Sequence, residues 1–208
     1  GLGVPVDKSV WVEYAKTAAL RMLAENNISE PQALAVWSDV DQEFFLRERA
    51  EDIASFTQSI IANQHPGTPV VVLRDVGVEV PVATQIFVHA QDRQNIFSII
   101  AAVLDQLQLN IQDARLHTTN DNRAFDVFYI LDDENRPIGT DANLCALITD
   151  SLTKAIMDPS AVKFDISRRT SRQLKNFTLK TQTSLSNDSE TNTTILEVIT
   201  PDRPGLLA

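Results

Sequence analysis

Apolar residues recur at helical spacing through residues 1–66. A first pattern ends at the Asn26-Asn27 pair, and Ser29-Glu30-Pro31 then offers an N-cap serine with proline in the first turn of a second helix. Apolar residues three and four apart predict a third helix over 51–61, which the His65-Pro66-Gly67 sequence ends. We therefore expect residues 1–66 to form a helical segment.

The pattern changes at residue 70, where β-branched residues replace the helical spacing. The run Val70 to Leu73 predicts a strand, and we assign 67–83 as a linker strand before the next domain. From residue 84 onward strands and helices alternate. The predicted elements are a strand over 84–90, a helix over 94–107, strands over 110–119 and 123–131 joined by a turn at Asn120-Asp121-Asn122, and a helix that is capped by Thr140 or Asp141 and buries Leu144, Leu147, Ile148, Leu152 and Ile156.

The order β-α-β-β-α is one strand short of the ferredoxin-like split βαβ unit. The best candidate for the missing strand is 178–185, which alternates well and would return to the sheet edge after a long basic insertion at 158–177. The first domain is therefore assigned to 84–185. The predicted fold class is α+β, with a helical N-terminal segment followed by an antiparallel sheet that carries two helices on one face.

Composition narrows the function classes. The chain has 208 residues and a net charge of -10, which argues against a nucleic-acid partner because phosphate binding needs a basic surface. No apolar stretch is long enough to span a bilayer, so we expect no membrane partner. The single cysteine, Cys145, lies in a helical apolar pattern, where a core role is expected. These features favour a cytoplasmic protein.

The residues offer little catalytic chemistry. Ser38-Asp39-Val40-Asp41 imitates the paired aspartates that hold Mg²⁺ in nucleotidyltransferases, but it lies between predicted helices, and capping is the better interpretation. His65, His89 and His117 have neither an acidic neighbour nor metal-ligand spacing. We expect no catalytic residue, no metal site and no cofactor in this chain.

An internal repeat links the middle of the chain to its end. Residues 83–98, ATQIFVHAQDRQNIFS, align with 193–208, TTILEVITPDRPGLLA, at a constant offset. Each copy reads as a strand, an Asp-Arg turn and the start of an apolar helix. We therefore expect residues 193–208 to begin a second copy of the same module, which would make this chain a piece of a longer protein.

Here the chain resembles two known groups. A strand followed by Asp-Arg-Pro-Gly and an apolar residue, opening a tandem β-α-β-β-α-β module, is similar to the ACT domain, a regulatory module that binds small molecules. More narrowly, FLRERAEDIASFTQSI at 45–60, VVVLRD at 70–75 and LEVITPDRPGLLA at 196–208 resemble the C-terminal region of the bifunctional PII uridylyltransferase and uridylyl-removing enzymes. The resemblance covers nearly the whole chain.

The resemblance carries specific implications. It implies that residues 1–66 are the helical tail of a hydrolase region of the HD type, that 84–185 is a first ACT domain and that 193–208 starts a second, truncated one. It implies glutamine as the ligand, the PII protein as the partner of the parent enzyme, pairing between ACT domains or a homodimer, and Mg²⁺ in the parent enzyme only.

A ligand site is expected at the turn between the first strand and helix of each module, because backbone N–H groups at a helix start suit an amino-acid carboxylate. By analogy with paired ACT modules, the second strand of a neighbouring module faces this turn. The candidate ligand-binding residues are Asp92, Arg93, Asn95 and Ile96 in the first turn, Asp202, Arg203, Gly205 and Leu206 in the second, and Asn110, Gln112 and Asp113 on the second strand.

Several alternatives stay open. Asp92 could accept from a ligand ammonium group, although capping the helix is the commoner role of such a residue. Asn95 stands where the family often has glycine, and its side chain would narrow the approach to the backbone. Asp113 and Asp126 belong either to an exposed sheet face or to a junction between modules. The leading function is glutamine sensing that controls a uridylyltransferase, the alternative is a docking or dimerisation module without a ligand, and a third is a remnant hydrolase in residues 1–64.

Overall fold

The computed structural model describes residues 7–161, 182–188 and 193–199. Four helices come first, and strands and helices then alternate. The elements are α1 (Lys8–Glu25), α2 (Glu30–Trp37), α3 (Gln42–Arg47), α4 (Ala50–Ala62), β1 (Val70–Val76), β2 (Ala83–Gln91), α5 (Ile96–Gln106), β3 (Asn110–Arg115), β4 (Arg123–Leu131), α6 (Ala142–Met157), a 3₁₀ turn (Pro159–Ala161), β5 (Gln182–Asp188) and β6 (Thr193–Ile199). The α+β fold class is confirmed.

In the helical segment, α1 to α4, the first three helices begin with side-chain caps, whereas α4 has none. Asp7 accepts a hydrogen bond from the Ser9 amide at the start of α1. Ser29 and Gln32 form a capping box on α2, with proline in the first turn as predicted. Asp41 caps α3, a helix that the sequence did not predict because its six residues are too short for a periodic pattern to show.

Four strands form one antiparallel sheet in the order β1-β2-β4-β3. This is the strand order of a ferredoxin-like sheet, except that the place of the last strand beside β2 is taken by β1, which precedes the module in sequence. The prediction that residues 178–185 return to this edge is wrong. The position is already filled by an antiparallel strand that reaches it through a short connection, whereas the later segment would need a long excursion.

A polar junction holds β1 in the sheet. The Asp75 carboxylate on β1 accepts hydrogen bonds from the Thr84 hydroxyl at 2.5 Å and from the Gly139 amide at 2.8 Å. The Thr84 oxygen in turn accepts from the Ile138 amide at 2.7 Å. A Cβ on Gly139 would lie 2.4 Å from the Asp75 carboxylate, so only glycine allows this approach. Strand β1, which the sequence predicts as a linker strand, is therefore hydrogen-bonded to the loop before α6.

The strands β5 and β6 form a separate two-stranded antiparallel sheet. An exposed apolar strand edge favours pairing, which predicts that the strand at 193 pairs with the first sheet or with a neighbouring chain. That expectation is wrong, because its partner is the strand immediately before it, which a short hairpin connection brings alongside.

Both faces of the four-stranded sheet are covered. On one face α5 and α6 pack over alternate residues of the strands, and on the other the helical segment packs over the intervening ones. Core residues on the α5/α6 face include Ile86, Val88, Ile100, Leu104, Phe128, Ile148 and Leu152. Core residues on the helical-segment face include Leu23, Trp37, Phe44, Phe45, Phe56, Phe87 and Phe125. Leu147 was predicted to be buried in α6, but it is exposed.

Candidate functional site

The turn between β2 and α5 lies at the end of the sheet where the β3–β4 hairpin also turns. Its position is set by backbone hydrogen bonds, since the Asp92 amide and the Gln91 side-chain amide both donate to the Asn122 carbonyl at 2.8 Å. The Arg93 guanidinium reaches the Met157 carbonyl at 3.5 Å. Asp92 is half-buried, whereas Arg93, Gln94 and Asn95 are exposed. The turn is therefore a solvent-facing loop on a rigid base.

Asn95, not Asp92, is the N-cap of α5. Its backbone is left-handed, with φ 67° and ψ 19°, and no side chain caps the helix. Asparagine and glycine are the residues that tolerate this conformation, which gives a physical reason for glycine at the same place in related turns. Ile96 begins the helix and is buried. Because no side chain caps the first turn of α5, its amides present a partial positive charge beside the loop.

A buried carboxyl lies beneath this turn. Asp126 on β4 is only 3% exposed, and it lies on the α5/α6 face because Ala124 and Phe128 on either side also do. Its Oδ1 accepts a hydrogen bond from the His117 amide at 3.2 Å. Burial, together with the nearby Asp92 charge, raises the pKa of Asp126 to about 7. The sheet-face alternation in the sequence could have placed this residue in the core, so the interpretation of Asp126 as an exposed residue is wrong.

The predicted residues of the second strand do not meet the turn within this module. Asn110 pairs with Leu131, at the end of β4 opposite to Arg123 and the turn. Its side-chain amide donates to the Asp132 carbonyl at 3.1 Å. A shift in the β3–β4 register falls between Ile111 and Asp113, around Gln112. Gln112 and Asp113 are both exposed, so a contact between them and such a turn requires a second module.

The second predicted turn, with Asp202, Arg203, Gly205 and Leu206, lies outside the described residues, as does most of the basic stretch 158–177. Within the described part of the chain, no helix is both long and apolar enough to cross a membrane.

Comparison with known proteins bears on this region directly. Residues 7–59 match the family model described as the uridylyltransferase GlnD fifth domain. Over its whole length the chain is 37% identical to a bifunctional uridylyltransferase/uridylyl-removing enzyme of Pseudomonas aeruginosa and covers 23% of that protein. The corresponding enzymes of Pseudomonas savastanoi and Pseudomonas syringae are each 36% identical over the same share.

The chain is related to the C-terminal region of these bifunctional enzymes. It spans about a quarter of the length of the curated relatives it matches. No solved structure matches it at a significant level. The match to the fifth-domain family model covers α1 to α3 and α4 as far as residue 59, and the four-stranded sheet follows these helices directly in the chain.

In this chain, the helical segment is joined to the sheet by a buried ionic cluster that the sequence did not predict. The Glu48 side chain is fully buried, and its two oxygens lie 3.4 Å from Arg115 Nη1 and 3.6 Å from His117 Nε2. The Phe44 ring meets the His117 ring edge-on at 5.3 Å. Arg74 on β1 pairs likewise with the buried Asp52 on α4. Nothing in the chain pattern relates residue 48 to residue 117, so only the fold could reveal the pair.

A cavity of about 280 Å³ opens between the helical segment and the β3–β4 hairpin. Its lining combines apolar walls from Val36, Ile60 and Phe125 with the polar side chains of Asp39, His89, Asp121 and Arg123. Burial, with the Arg123 charge, lowers the pKa of His89 to about 4, so the imidazole is neutral at pH 7. Because Arg123 Nε already donates to Asp121 at 2.9 Å, the rim holds an internal ion pair.

The acidic pair at Asp39 and Asp41 has a structural role. Asp41 accepts from the Glu43 amide at the start of α3, and Asp39 accepts from the Ser38 hydroxyl. Among the described residues, no group of three or more histidine, cysteine or acidic side chains could hold a metal ion.

Proposed function

We propose that this chain is the regulatory region of a uridylyltransferase/uridylyl-removing enzyme, in which an ACT module senses glutamine and controls the addition of UMP to the PII protein and its removal. The kinship with that enzyme's C-terminal region carries this proposal. Under this proposal, Mg²⁺ and PII bind to the catalytic parts of a longer, cytoplasmic enzyme.

The geometry of the turn from Asp92 to Ile96 supports an amino-acid ligand. A carboxylate would accept hydrogen bonds from the uncapped amides of α5, while Asp92 would accept from the ammonium group. The opposite charges of an amino acid thus find opposite partners within one loop. Asn110, Gln112 and Asp113 would come from a paired module, since they do not reach this turn within their own.

The control would operate by linkage. If glutamine binds one arrangement of two paired modules more tightly than another, it shifts the population toward that arrangement by the ratio of the two affinities. Glu48 and Asp52 anchor the helical segment on the sheet. A change in module pairing would therefore move the helical segment together with the sheet. That movement would bias the catalytic domains.

Isothermal titration of glutamine into the chain tests the proposal. Saturable binding is expected, with glutamate as the specificity control. Asp92→Ala should weaken binding about tenfold or more, because it removes a charged hydrogen-bond acceptor. Asp133→Ala is the matched control, since Asp133 is exposed at the opposite end of β4 and should leave the affinity unchanged. No binding in the wild-type chain, or equal losses in both variants, would contradict glutamine sensing at this turn.

One observation favours a docking module instead. Val10, Trp11 and Tyr14 on α1 are 62%, 56% and 70% exposed, which leaves an apolar surface on the outer side of the helical segment. In that case the chain would associate with another domain or a second copy without responding to glutamine. Sedimentation equilibrium with and without glutamine separates the two functions. A mass that depends on protein concentration but not on glutamine, with no heat of binding, supports docking.

A further inference from the structure

The cavity between the helical segment and the β3–β4 hairpin is bounded by separate parts of the chain. Its lining comes from α2 and the two residues after it, from Ile60 on α4, and from β2 and the hairpin. A backbone hydrogen bond joins two of these parts beside the cavity, since the Asn120 amide donates to the Asp39 carbonyl at 3.0 Å. The cavity therefore exists only where the helical segment is docked on the sheet.

His89 on β2 lines this cavity and is only 8% exposed. Its ring meets the ring of Phe125, directly opposite on β4, edge-on at 4.7 Å. Within the described part of the chain, neither ring nitrogen makes a hydrogen bond. The imidazole is neutral at pH 7, so one nitrogen is a donor and the other is an acceptor. A buried polar group without a partner is costly, and a ligand that pairs with it recovers part of that cost.

The charged side chains of the lining leave one carboxylate without a cation. Arg123 Nε donates to Asp121 at 2.9 Å, so these two charges offset each other. Asp39 is half-buried, and its carboxylate accepts from the Ser38 hydroxyl at 2.9 Å. No cation among the described residues forms an ion pair with Asp39. With His89 neutral, the lining therefore carries a single negative charge, which favours a positively charged ligand.

The remainder of the lining is an apolar wall, formed by Ala35, Val36, Ile60 and Phe125. This wall suits a short aliphatic chain. The cavity volume of about 280 Å³ lies just below the roughly 300–1,000 Å³ of sites that hold drug-sized ligands, so a smaller molecule fits. The cavity thus offers an acid and an imidazole acceptor for a polar head, and apolar surface for a carbon chain.

We propose that this cavity binds a small aliphatic ammonium ion. Asp39 holds the ammonium charge, and a ring nitrogen of His89 is its second acceptor. The carbon chain lies along the apolar wall. The Arg123 charge opposes a cation at this place, but Asp121 offsets it. Because the ligand contacts both the helical segment and the sheet, its binding stabilises their junction. This inference does not depend on glutamine sensing, which is proposed at the turn between β2 and α5.

Titration of n-pentylammonium into the 208-residue chain tests the proposal. We expect saturable binding by calorimetry and a saturable shift of the His89 ring signals in NMR spectra, whereas the signals of the exposed His65 should stay in place. Pentanol and pentanoate carry a chain of the same length without the positive charge. At one ionic strength, both should bind at least about tenfold more weakly. Equal affinities for the three compounds, or no saturable binding of n-pentylammonium, would overturn the proposal.

Two variants of equal net charge identify the ammonium partner. Asp39→Asn keeps the side-chain size and an acceptor for the Ser38 hydroxyl, but it should weaken n-pentylammonium binding about tenfold or more. Asp133→Asn is the matched control, because Asp133 is exposed just beyond the far end of β4. It should leave the affinity within about twofold. Equal losses in the two variants would show a response to net charge alone and would overturn the role of Asp39.

A third variant tests the second acceptor. His89→Phe keeps a ring against Phe125 but has no ring nitrogen, and it should weaken n-pentylammonium binding about threefold or more. The amide spectrum of β2 and β4 shows whether the sheet is intact in this variant. An unchanged affinity in a folded His89→Phe chain would contradict the role of His89 as an acceptor.

Discussion

The two faces of the four-stranded sheet are covered by different means. On the α5/α6 face the core contacts are mostly aliphatic, and the carboxyls of Asp75 and Asp126 interrupt them. On the helical-segment face aromatic rings predominate, and two buried acids, Glu48 and Asp52, pair with arginines from the sheet. Both faces bury a core, but among the described residues only the second adds ion pairs with buried acids.

The difference suggests what each face requires. Helices α5 and α6 alternate with the strands they cover, so short connections already hold them in place. The helical segment precedes the sheet and could slide across it, and apolar area alone has no direction. Ion pairs such as Glu48 with Arg115 fix the helical segment in one position on the sheet, because any other position would leave a buried charge without its partner.

The largest expected effect comes from removing one fully buried ring from each face. Phe87→Ala and Phe128→Ala should each lower the free energy of unfolding by about 3–5 kcal/mol. Hydrogen exchange should separate them, because Phe87 lies against α4 and Phe128 against α5. We expect faster exchange chiefly in α4 for the first variant and in α5 and α6 for the second. The same exchange pattern in both would show that the faces are not separable.

Asp126 gives the α5/α6 face a dependence on pH. Its pKa of about 7 lies above the ordinary value, so the folded protein binds a proton that the unfolded chain has already released. The stability that this group contributes is complete below about pH 4 and is lost as the pH rises through 7, with a change of the order of 2–4 kcal/mol. Asp126→Asn keeps the side-chain volume and an acceptor for the His117 amide, and it should remove this loss of stability at higher pH. Urea unfolding from pH 4 to 8 measures the free energy of unfolding of both proteins.

His89, on the helical-segment face, should behave with the opposite sign. Its pKa of about 4 lies below the ordinary value, so its contribution is complete above pH 6.5 and is lost as the pH falls toward 4, by about 2–3 kcal/mol. His89→Gln should remove this acid-side loss. Between pH 4 and 6.5 the two groups offset each other in the wild-type chain, and the two variants should therefore show slopes of opposite sign. Parallel slopes would contradict this account.

Disrupting the ionic cluster on the helical-segment face should lower the free energy of unfolding by somewhat less than these changes. Glu48→Gln keeps the size of the side chain but leaves Arg115 without its buried partner, and we expect a loss of about 2 kcal/mol. Glu43→Gln is the matched control, because Glu43 pairs with Lys8 and Arg47 on the surface and should cost less than about 0.5 kcal/mol. Chemical denaturation at one pH gives the free energy of unfolding of both variants. Equal losses would contradict the role of the Glu48–Arg115 pair in fixing the position of the helical segment on the sheet.

The smallest effect is expected at the turn above Asp126. Because Asn95 is left-handed, Asn95→Ala should destabilise the fold by about 1 kcal/mol, whereas Asn95→Gly should change it by less than about 0.5 kcal/mol. Thermal unfolding of the pair measures the difference. If alanine is tolerated as well as glycine, the left-handed turn is not a constraint.

Local order was accessible from the sequence. The strand over 123–131 was predicted with its observed bounds, the cap at Ser29 follows from residue type and spacing, and Asp141 is one of the two caps predicted for α6. The candidate turn was located as a loop between β2 and α5, although its cap proved to be Asn95. Alternation along β4 could have indicated that Asp126 is buried with Ala124 and Phe128, whereas the Glu48 cluster could not be predicted because it depends on which element covers the strand.

The sequence by itself therefore determined the order and type of most elements, since 3.6-residue and two-residue periodicities and capping residues are local properties. Only the tertiary structure decided which strand lies beside β2, that the helical segment covers the second face, and that residues 48 and 117 meet in the core. These are contacts between distant parts of the chain. They are selected by competition among possible neighbours for the same edge or face, and no local pattern records that competition.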